Sequence, residues 1–214
     1  MNYPGIIFDM DGTLVESFHA IQGSLAEAMK SVDLAPWDLE TTKRHVGRGI
    51  EHLVECAVGQ EKKQEALGIF RRDYGETCLD RTYLLPSVSE TLRALKDSGR
   101  QLAVATNKSL AFTGRILDHL GVKVYFTCVF GPEAVARPKP HPDMIRAILA
   151  EFRLTERECL YVGDMPLDAE TASRAGVDCL LLATGATPFH EMKKEVQVPV
   201  LRGFSDILPF LGGG

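Results

Sequence analysis

What this chain lacks narrows it first. No apolar run reaches the length that crosses a bilayer, about 20 residues. Residues 1–5 lead straight into an apolar stretch, which leaves no room for a signal peptide, so a cytoplasmic location is expected. Lysine and arginine nowhere cluster, and the net charge is −5. Neither nucleic acid nor a membrane surface is therefore an expected partner. Cysteine is sparse: Cys56, Cys78, Cys128, Cys159 and Cys179 stand singly, form no Cys-x-x-Cys pair and are odd in number. That argues against a zinc site or disulfide framework and for reduced thiols. Internal repeats and low-complexity tracts are absent as well. The acidic balance does not exclude a phosphate ligand, because a pocket can be locally positive in an acidic protein.

What is present is ordinary in composition, with 45% hydrophobic and 25% charged residues. The 214 residues suffice for one large domain, or for a core with a smaller insert. The organising stretch is at the start. Gly5 to Phe8 is apolar throughout, as in a strand buried on both faces of a parallel sheet. It runs into Asp9-Met10-Asp11-Gly12-Thr13. Gly12 has the backbone freedom to turn the chain and bring both acids round one site. Two neighbouring anions call for a cation between them or a proton on one. A plain turn with a helix-capping Asp is the simpler reading of the same residues.

Beyond Leu14 the period changes to helical. Phe18, Ile21, Leu25, Ala28 and Met29 recur at three- and four-residue spacing, with Ser17 placed to cap. Glu40–Val58 and Lys62–Leu79 also read as helix, with Val46-Gly47-Arg48-Gly49-Ile50 amid them. No strand is evident between Glu16 and Tyr83. Strand and helix then alternate. Ser87 opens a helix that Gly99 ends, and strand Leu102–Ala105 and helix Ser109–Leu120 follow. Strand Tyr125–Phe130 leads to a helix through Ile145 and Phe152. Strand Leu160–Val162, a helix to Ala175 and strand Cys179–Leu182 come next, with Val200-Leu201 as an edge and Gly212–Gly214 as a disordered tail. The predicted architecture is α/β: a Rossmann-like, doubly wound parallel sheet core (residues 1–15 and 84–214) carrying an inserted α-helical cap domain (16–83).

Each later strand end carries polar residues. Thr106-Asn107 can cradle phosphate through a hydroxyl and backbone N–H groups, or can simply begin a helix. Lys139 sits in Arg137-Pro138-Lys139-Pro140-His141-Pro142, where prolines restrict the backbone on both sides. Its ammonium can neutralise a carboxylate nucleophile and a phosphoryl group, or be a surface lysine in a stiff loop. His141, at a helix start, reads as structural. Asp164, in Gly163-Asp164-Met165-Pro166-Leu167-Asp168, suits a metal shared with Asp9, or a helix cap. Asp168, one turn on, can hold Lys139 or a metal-bound water.

Taken in order, Asp9/Asp11, Thr106, Lys139 and Asp164/Asp168 resemble all four signatures of the haloacid dehalogenase-like superfamily. The resemblance implies that Asp9 is the nucleophile, forming an aspartyl-phosphate, and that Asp11 is the general acid/base. It implies Mg²⁺ held by Asp9, the backbone carbonyl of Asp11, and Asp164. Thr106, with Asn107 beside it, and Lys139 would hold the phosphoryl group. The second acid, Asp11, argues for phosphoryl transfer rather than dehalogenation. Phe8–Ser17, Val46–Gly49, Arg137–Pro142 and Tyr161–Asp164 are most similar to the phosphoglycolate phosphatase branch, although Met165-Pro166 stands where a small Ser is more usual.

The activity so implied is Mg²⁺-dependent hydrolysis of a small phosphorylated metabolite, 2-phosphoglycolate first, by a monomer or homodimer. Arg48, between two glycines, would reach a substrate carboxylate, or face solvent. A β-phosphoglucomutase-like phosphomutase, a pyrophosphatase and a nucleotidase use the same core residues. A phospho-accepting signalling module shares Asp, Thr and Lys, yet has neither the cap nor a use for Asp11.

Overall fold

The computed structural model describes residues 3–212. In chain order the elements are β1 (Gly5–Phe8), β2 (Val15–Glu16), α1 (Phe18–Lys30), α2 (Leu39–His45), α3 (Ile50–Val58), α4 (Lys63–Thr77) and β3 (Tyr83–Leu84). There follow α5 (Val88–Asp97), β4 (Gln101–Ala105), α6 (Leu110–His119), β5 (Cys128–Phe130), α7 (Asp143–Phe152) and β6 (Cys159–Gly163). The chain closes with α8 (Pro166–Ala175), β7 (Asp178–Leu182), α9 (Phe189–Glu195), β8 (Val200–Leu201) and α10 (Ile207–Gly212).

Six strands form one sheet in the order β5-β4-β1-β6-β7-β8, every neighbouring pair parallel. β1 lies between β4 and β6, with Phe8 in register with Val104 on one side and Val162 on the other. Later strands extend the sheet in both directions from it, so the strand order reverses here, where open α/β sheets bind ligands. Side chains alternate across the sheet. Ile6, Phe8, Leu102, Val104 and Val162 belong to one apolar cluster, and Ile7, Ala103, Tyr161 and Leu181 to the other, with α7 and α8.

Between β2 and β3, α1 packs along α4, with α2 on α1 and α3 on α4. Buried residues of these helices, Leu25, Leu53, Val54 and Phe70 among them, are continuous with the Phe8 face of the sheet. The insert stands on a two-stranded antiparallel stem, Val15 opposite Leu84 and Glu16 opposite Tyr83. These two-residue strands are too short to show a period of two, which is why the sequence reading found no strand at either end of the insert.

Other expectations need correction. Glu40–Val58 is two helices, because Gly47 and Gly49 take φ of 116° and 87°, outside the helical region. Tyr125–Phe130 shortens to β5, preceded by a single 3₁₀ turn at Lys123–Tyr125. Neither Ser17 nor Ser87 caps with its side chain: Ser17 Oγ donates to Asp11 instead, and Ser87 has a left-handed backbone. Of the tail expected to be disordered, Gly212 ends α10, while residues 213 and 214 lie outside the described residues.

Candidate active site

β1 ends at Phe8, and the chain turns. Asp9 N–H still donates to Val162 O at 2.9 Å, so Asp9 leaves the sheet at its centre. Gly12, at φ 85°, makes the turn and brings Thr13 back beneath Asp164. At the end of β4, Thr106 N–H donates to Phe130 O at 3.1 Å. Asp164 follows β6 directly. The parallel register thus delivers Asp9, Thr106 and Asp164 to one edge, and the loop before α7 adds Lys139.

Lys139 is buried, its Nζ 2.8 Å from Asp9 Oδ1, 2.8 Å from Asp168 Oδ1 and 3.1 Å from the Tyr161 hydroxyl. Burial alone would discharge the ammonium, but Asp168 and Asp9 outweigh it and hold its pKa well above the usual lysine value. Asp168 is fully engaged. Its Oδ1 takes Lys139, and its Oδ2 accepts from the backbone N–H of Asp164 and of Met165, each at 3.1 Å. Of its two anticipated roles, holding Lys139 is the one the geometry contains.

Asp164 is wholly buried. Thr13 Oγ1 donates to its Oδ1 at 2.8 Å, while its Oδ2 has no hydrogen-bond partner among the described residues. That oxygen is pressed between two glycines: a Cβ on Gly12 would lie 2.3 Å from it, and one on Gly185 only 1.8 Å. Burial, then Asp168 and Asp9, push the Asp164 pKa well above the usual carboxylate range. Burial likewise pushes Asp9 up, to about 6, against the opposing pull of Lys139.

Carboxylate oxygens of Asp9, Asp164 and Asp168 lie within 4.8 Å of one another. Three carboxylates against the one Lys139 ammonium leave a buried charge of −2 when all are ionised. A divalent cation balances that charge and supplies a partner for Asp164 Oδ2. With Asp168 already committed, Asp9 and Asp164 are the carboxylates open to it, and Mg²⁺ takes one or two carboxylates and keeps waters. The residues present therefore fit Mg²⁺.

Asp11 turns elsewhere. Its Oδ1 accepts from Ser17 Oγ at 2.5 Å, and Lys108 Nζ lies 3.0 Å from Oδ1 and 3.2 Å from Oδ2. Lys108 also stands 4.7 Å above the ring of Tyr74 on α4, so it joins the core to the helical insert. Burial would lower its pKa, but Asp11 and Tyr74 raise it above the usual value. Sequence reasoning passed over Lys108 although it directly follows Thr106-Asn107. It also missed Thr13, Tyr161 and Gly185, whose parts here depend on packing across the sheet.

Asp9, Asp11, Thr106, Asn107 and Lys108 line one cavity of about 40 Å³ under the insert, which contributes Ile21, Val46, Gly47, Ile50 and Leu53. Thr106 Oγ1 accepts from Lys108 N–H at 3.1 Å, so its own proton remains available to a ligand. The Asn107 side chain is used within the protein. Its Nδ2 donates to Gly47 O at 2.9 Å and to Lys139 O at 3.0 Å, and its Oδ1 accepts from Lys139 N–H at 3.0 Å. It ties the insert to the Lys139 loop and has no amide donor left for a phosphate. Arg48 is exposed and lies outside this cavity, in a groove beyond Met165.

The haloacid dehalogenase-like hydrolase family matches residues 6–182. Phosphoglycolate phosphatase of Salmonella paratyphi A is 29% identical, with 99% of this chain and 93% of that protein aligned. The phosphoglycolate phosphatase of Escherichia coli K12 is 28% identical, over 97% and 92%. A crystal structure from Haemophilus somnus, described as a predicted phosphoglycolate phosphatase, has a TM-score of 0.90 at 29% identity, covering 98% of each chain. One from Lactobacillus delbrueckii shares the fold at TM-score 0.92 and 22% identity, covering 100% of each chain. A family match over residues 6–182, on top of buried carboxylates at the central strand ends and the lysine that meets them, leads to one conclusion: the chain belongs to the haloacid dehalogenase-like hydrolases and is a phosphatase of the phosphoglycolate phosphatase-like branch.

Proposed function

We propose that this phosphatase hydrolyses 2-phosphoglycolate through an aspartyl-phosphate on Asp9, with Mg²⁺ as cofactor. The observation that carries the chemistry is the buried group of Asp9, Asp164, Asp168 and Lys139, with a charge of −2 when its carboxylates are ionised and an unpartnered oxygen on Asp164. Mg²⁺, held by Asp9 and Asp164, would supply positive charge to the phosphoryl oxygens and keep Asp9 ionised. An Asp9 carboxylate oxygen forms the bond to phosphorus while the ester oxygen leaves. Asp11 gives that oxygen its proton, then takes one from the water that cleaves the acyl phosphate and regenerates Asp9. Lys108 and Ser17 hold Asp11 in place for both transfers. The Thr106 hydroxyl and the Lys139 ammonium stabilise the charge that builds on the transferring group.

The size of the cavity supports a small substrate. At about 40 Å³ it is much smaller than the groove of about 300 Å³ that borders it. A two-carbon ester suits it better than a hexose phosphate or a nucleotide. The Lys108 ammonium in its wall suits a carboxylate at the far end of such an ester.

The test is phosphate release from 2-phosphoglycolate, β-glucose 1-phosphate, nucleotides and pyrophosphate, each with Mg²⁺ and with EDTA. Release concentrated on 2-phosphoglycolate and abolished by EDTA is expected. Equal release from all of them removes the substrate assignment. Asp9→Asn and Asp11→Asn should each abolish turnover, and substantial hydrolysis by Asp9→Asn would end the covalent mechanism.

A further inference from the structure

Met165 borders two spaces. One is the 40 Å³ cavity over Asp9, and the other is a groove of about 300 Å³ that holds Arg44, Arg48 and His52 of the insert. Val46 and Met165 belong to both walls. The thioether lies against the backbone of Gly47: a Cβ there would come within 2.8 Å of Met165 Sδ and 3.1 Å of its Cε. Gly47 is held from the other side by the bond from Asn107 to its carbonyl. Between the two spaces, insert and core meet where the flexible Met165 side chain lies on Gly47. That seam separates the reacting carboxylate from a cationic surface.

The groove has charge to offer. Among the described residues Arg48 has no ion pair, and Glu170, the acid bordering the groove, is paired with Arg174 at 2.5 Å. A phosphoester with a second anionic group several bonds away would match a phosphoryl site joined to such a groove. Val46 and Met165 stand between the two.

We propose that Met165 determines which esters this phosphatase accepts, by walling the phosphoryl site off from the Arg48 groove and so excluding long, doubly anionic phosphoesters. The inference rests on the phosphomonoesterase reading of the Asp9 site and adds the limit on substrate length. Replacing Met165 by Ser removes the Sδ and Cε atoms that meet Gly47 and opens the seam, whereas Leu keeps most of the bulk. A flexible thioether is a sound filler of such a gap but a poor hydrogen-bonding surface, so its effect is exclusion by size.

The experiment measures kcat/KM for 2-phosphoglycolate and for fructose 1,6-bisphosphate in the wild type, Met165→Ser, Met165→Leu and the Met165→Ser/Arg48→Ala double variant. In Met165→Ser the ratio of bisphosphate to phosphoglycolate turnover should rise at least tenfold. It should stay within about threefold of wild type in Met165→Leu, and the double variant should lose the gain. A thermal melt accompanies each variant, and should Met165→Ser not fold, Met165→Ala replaces it. An unchanged ratio in a folded small-residue variant overturns the proposal, as does an equal gain in Met165→Leu. Failure of the wild type to release phosphate from either ester would instead count against the phosphomonoesterase reading, so the two failures are distinguishable.

Discussion

Replacing Lys139 by Met tests the electrostatic reading of the site most directly. The side chain keeps its length and loses its charge, in a position that is 4% exposed. Wild-type Nζ lies 2.8 Å from both Asp9 Oδ1 and Asp168 Oδ1. Without it, three buried carboxylates stand with no internal cation in contact, and removing one partner of a buried pair costs about 3–5 kcal/mol. For a chain of this size, 1 kcal/mol corresponds to about 2–4 °C, so Tm should fall by roughly 6–20 °C.

Catalysis should suffer separately. Lys139 is the group that pulls the Asp9 pKa down against burial, so in the variant Asp9 holds its proton to higher pH than about 6 and is a poorer nucleophile. Loss of one charged donor to the transferring group adds a factor of about 10²–10³ in kcat. Adding Asp168→Asn restores the buried charge to −2 and should recover much of the Tm but none of the activity. The assays are a thermal melt without metal and initial rates of phosphate release with Mg²⁺. Retention of more than a tenth of wild-type kcat by Lys139→Met, or an unchanged Tm, would refute the reasoning.

Two other predictions concern the carboxylates. Burial raises the Asp9 pKa to about 6 in the metal-free fold, from about 3.8 when unfolded. The folded chain therefore binds the extra proton, and metal-free stability should decline by up to about 3 kcal/mol as pH rises from 4 to 6. Melts across that range should show the decline, with Mg²⁺ offsetting it and Asp9→Asn making it shallower, since buried Asp164 adds a decline of the same sign; a rise in metal-free stability over the same range contradicts the assignment. Gly185→Ala places a Cβ where Asp164 Oδ2 now sits, 1.8 Å away, so the carboxylate must move. The Mg²⁺ concentration for half-maximal activity should increase at least tenfold, and an unchanged Mg²⁺ titration would show that Asp164 does not bind the metal.

Much of the site could be read from the chain because its parts end strands. An apolar run buried on both faces needs no partner to be recognised, and β1, β4 and β6 each stop at the polar residues that matter: Asp9, Thr106 and Asp164. The stem of the insert, β2 with β3, escaped because two residues carry no periodicity, and its pairing joins positions 15 and 84. Lys108 was in view but unassigned. Nothing local says that a lysine two residues after Thr106 turns back to Asp11, 97 positions earlier. Gly185 was invisible for the same reason, its requirement being set by a carboxylate 21 residues away.

From the sequence alone came the alternation of strand and helix, the order of the acidic and basic residues, and their positions at strand ends. These depend on local patterns: runs of apolar residues, turn residues and the spacing between them. Tertiary structure alone decided which partners those residues take. It put Asp168 on Lys139 rather than on a metal water, turned the Asn107 amide toward Gly47, and left Arg48 outside the Asp9 cavity. Charge balance and hydrogen-bond satisfaction in a buried site are sums over every neighbour at once, and the neighbours come from segments that only the folded sheet and its insert bring together.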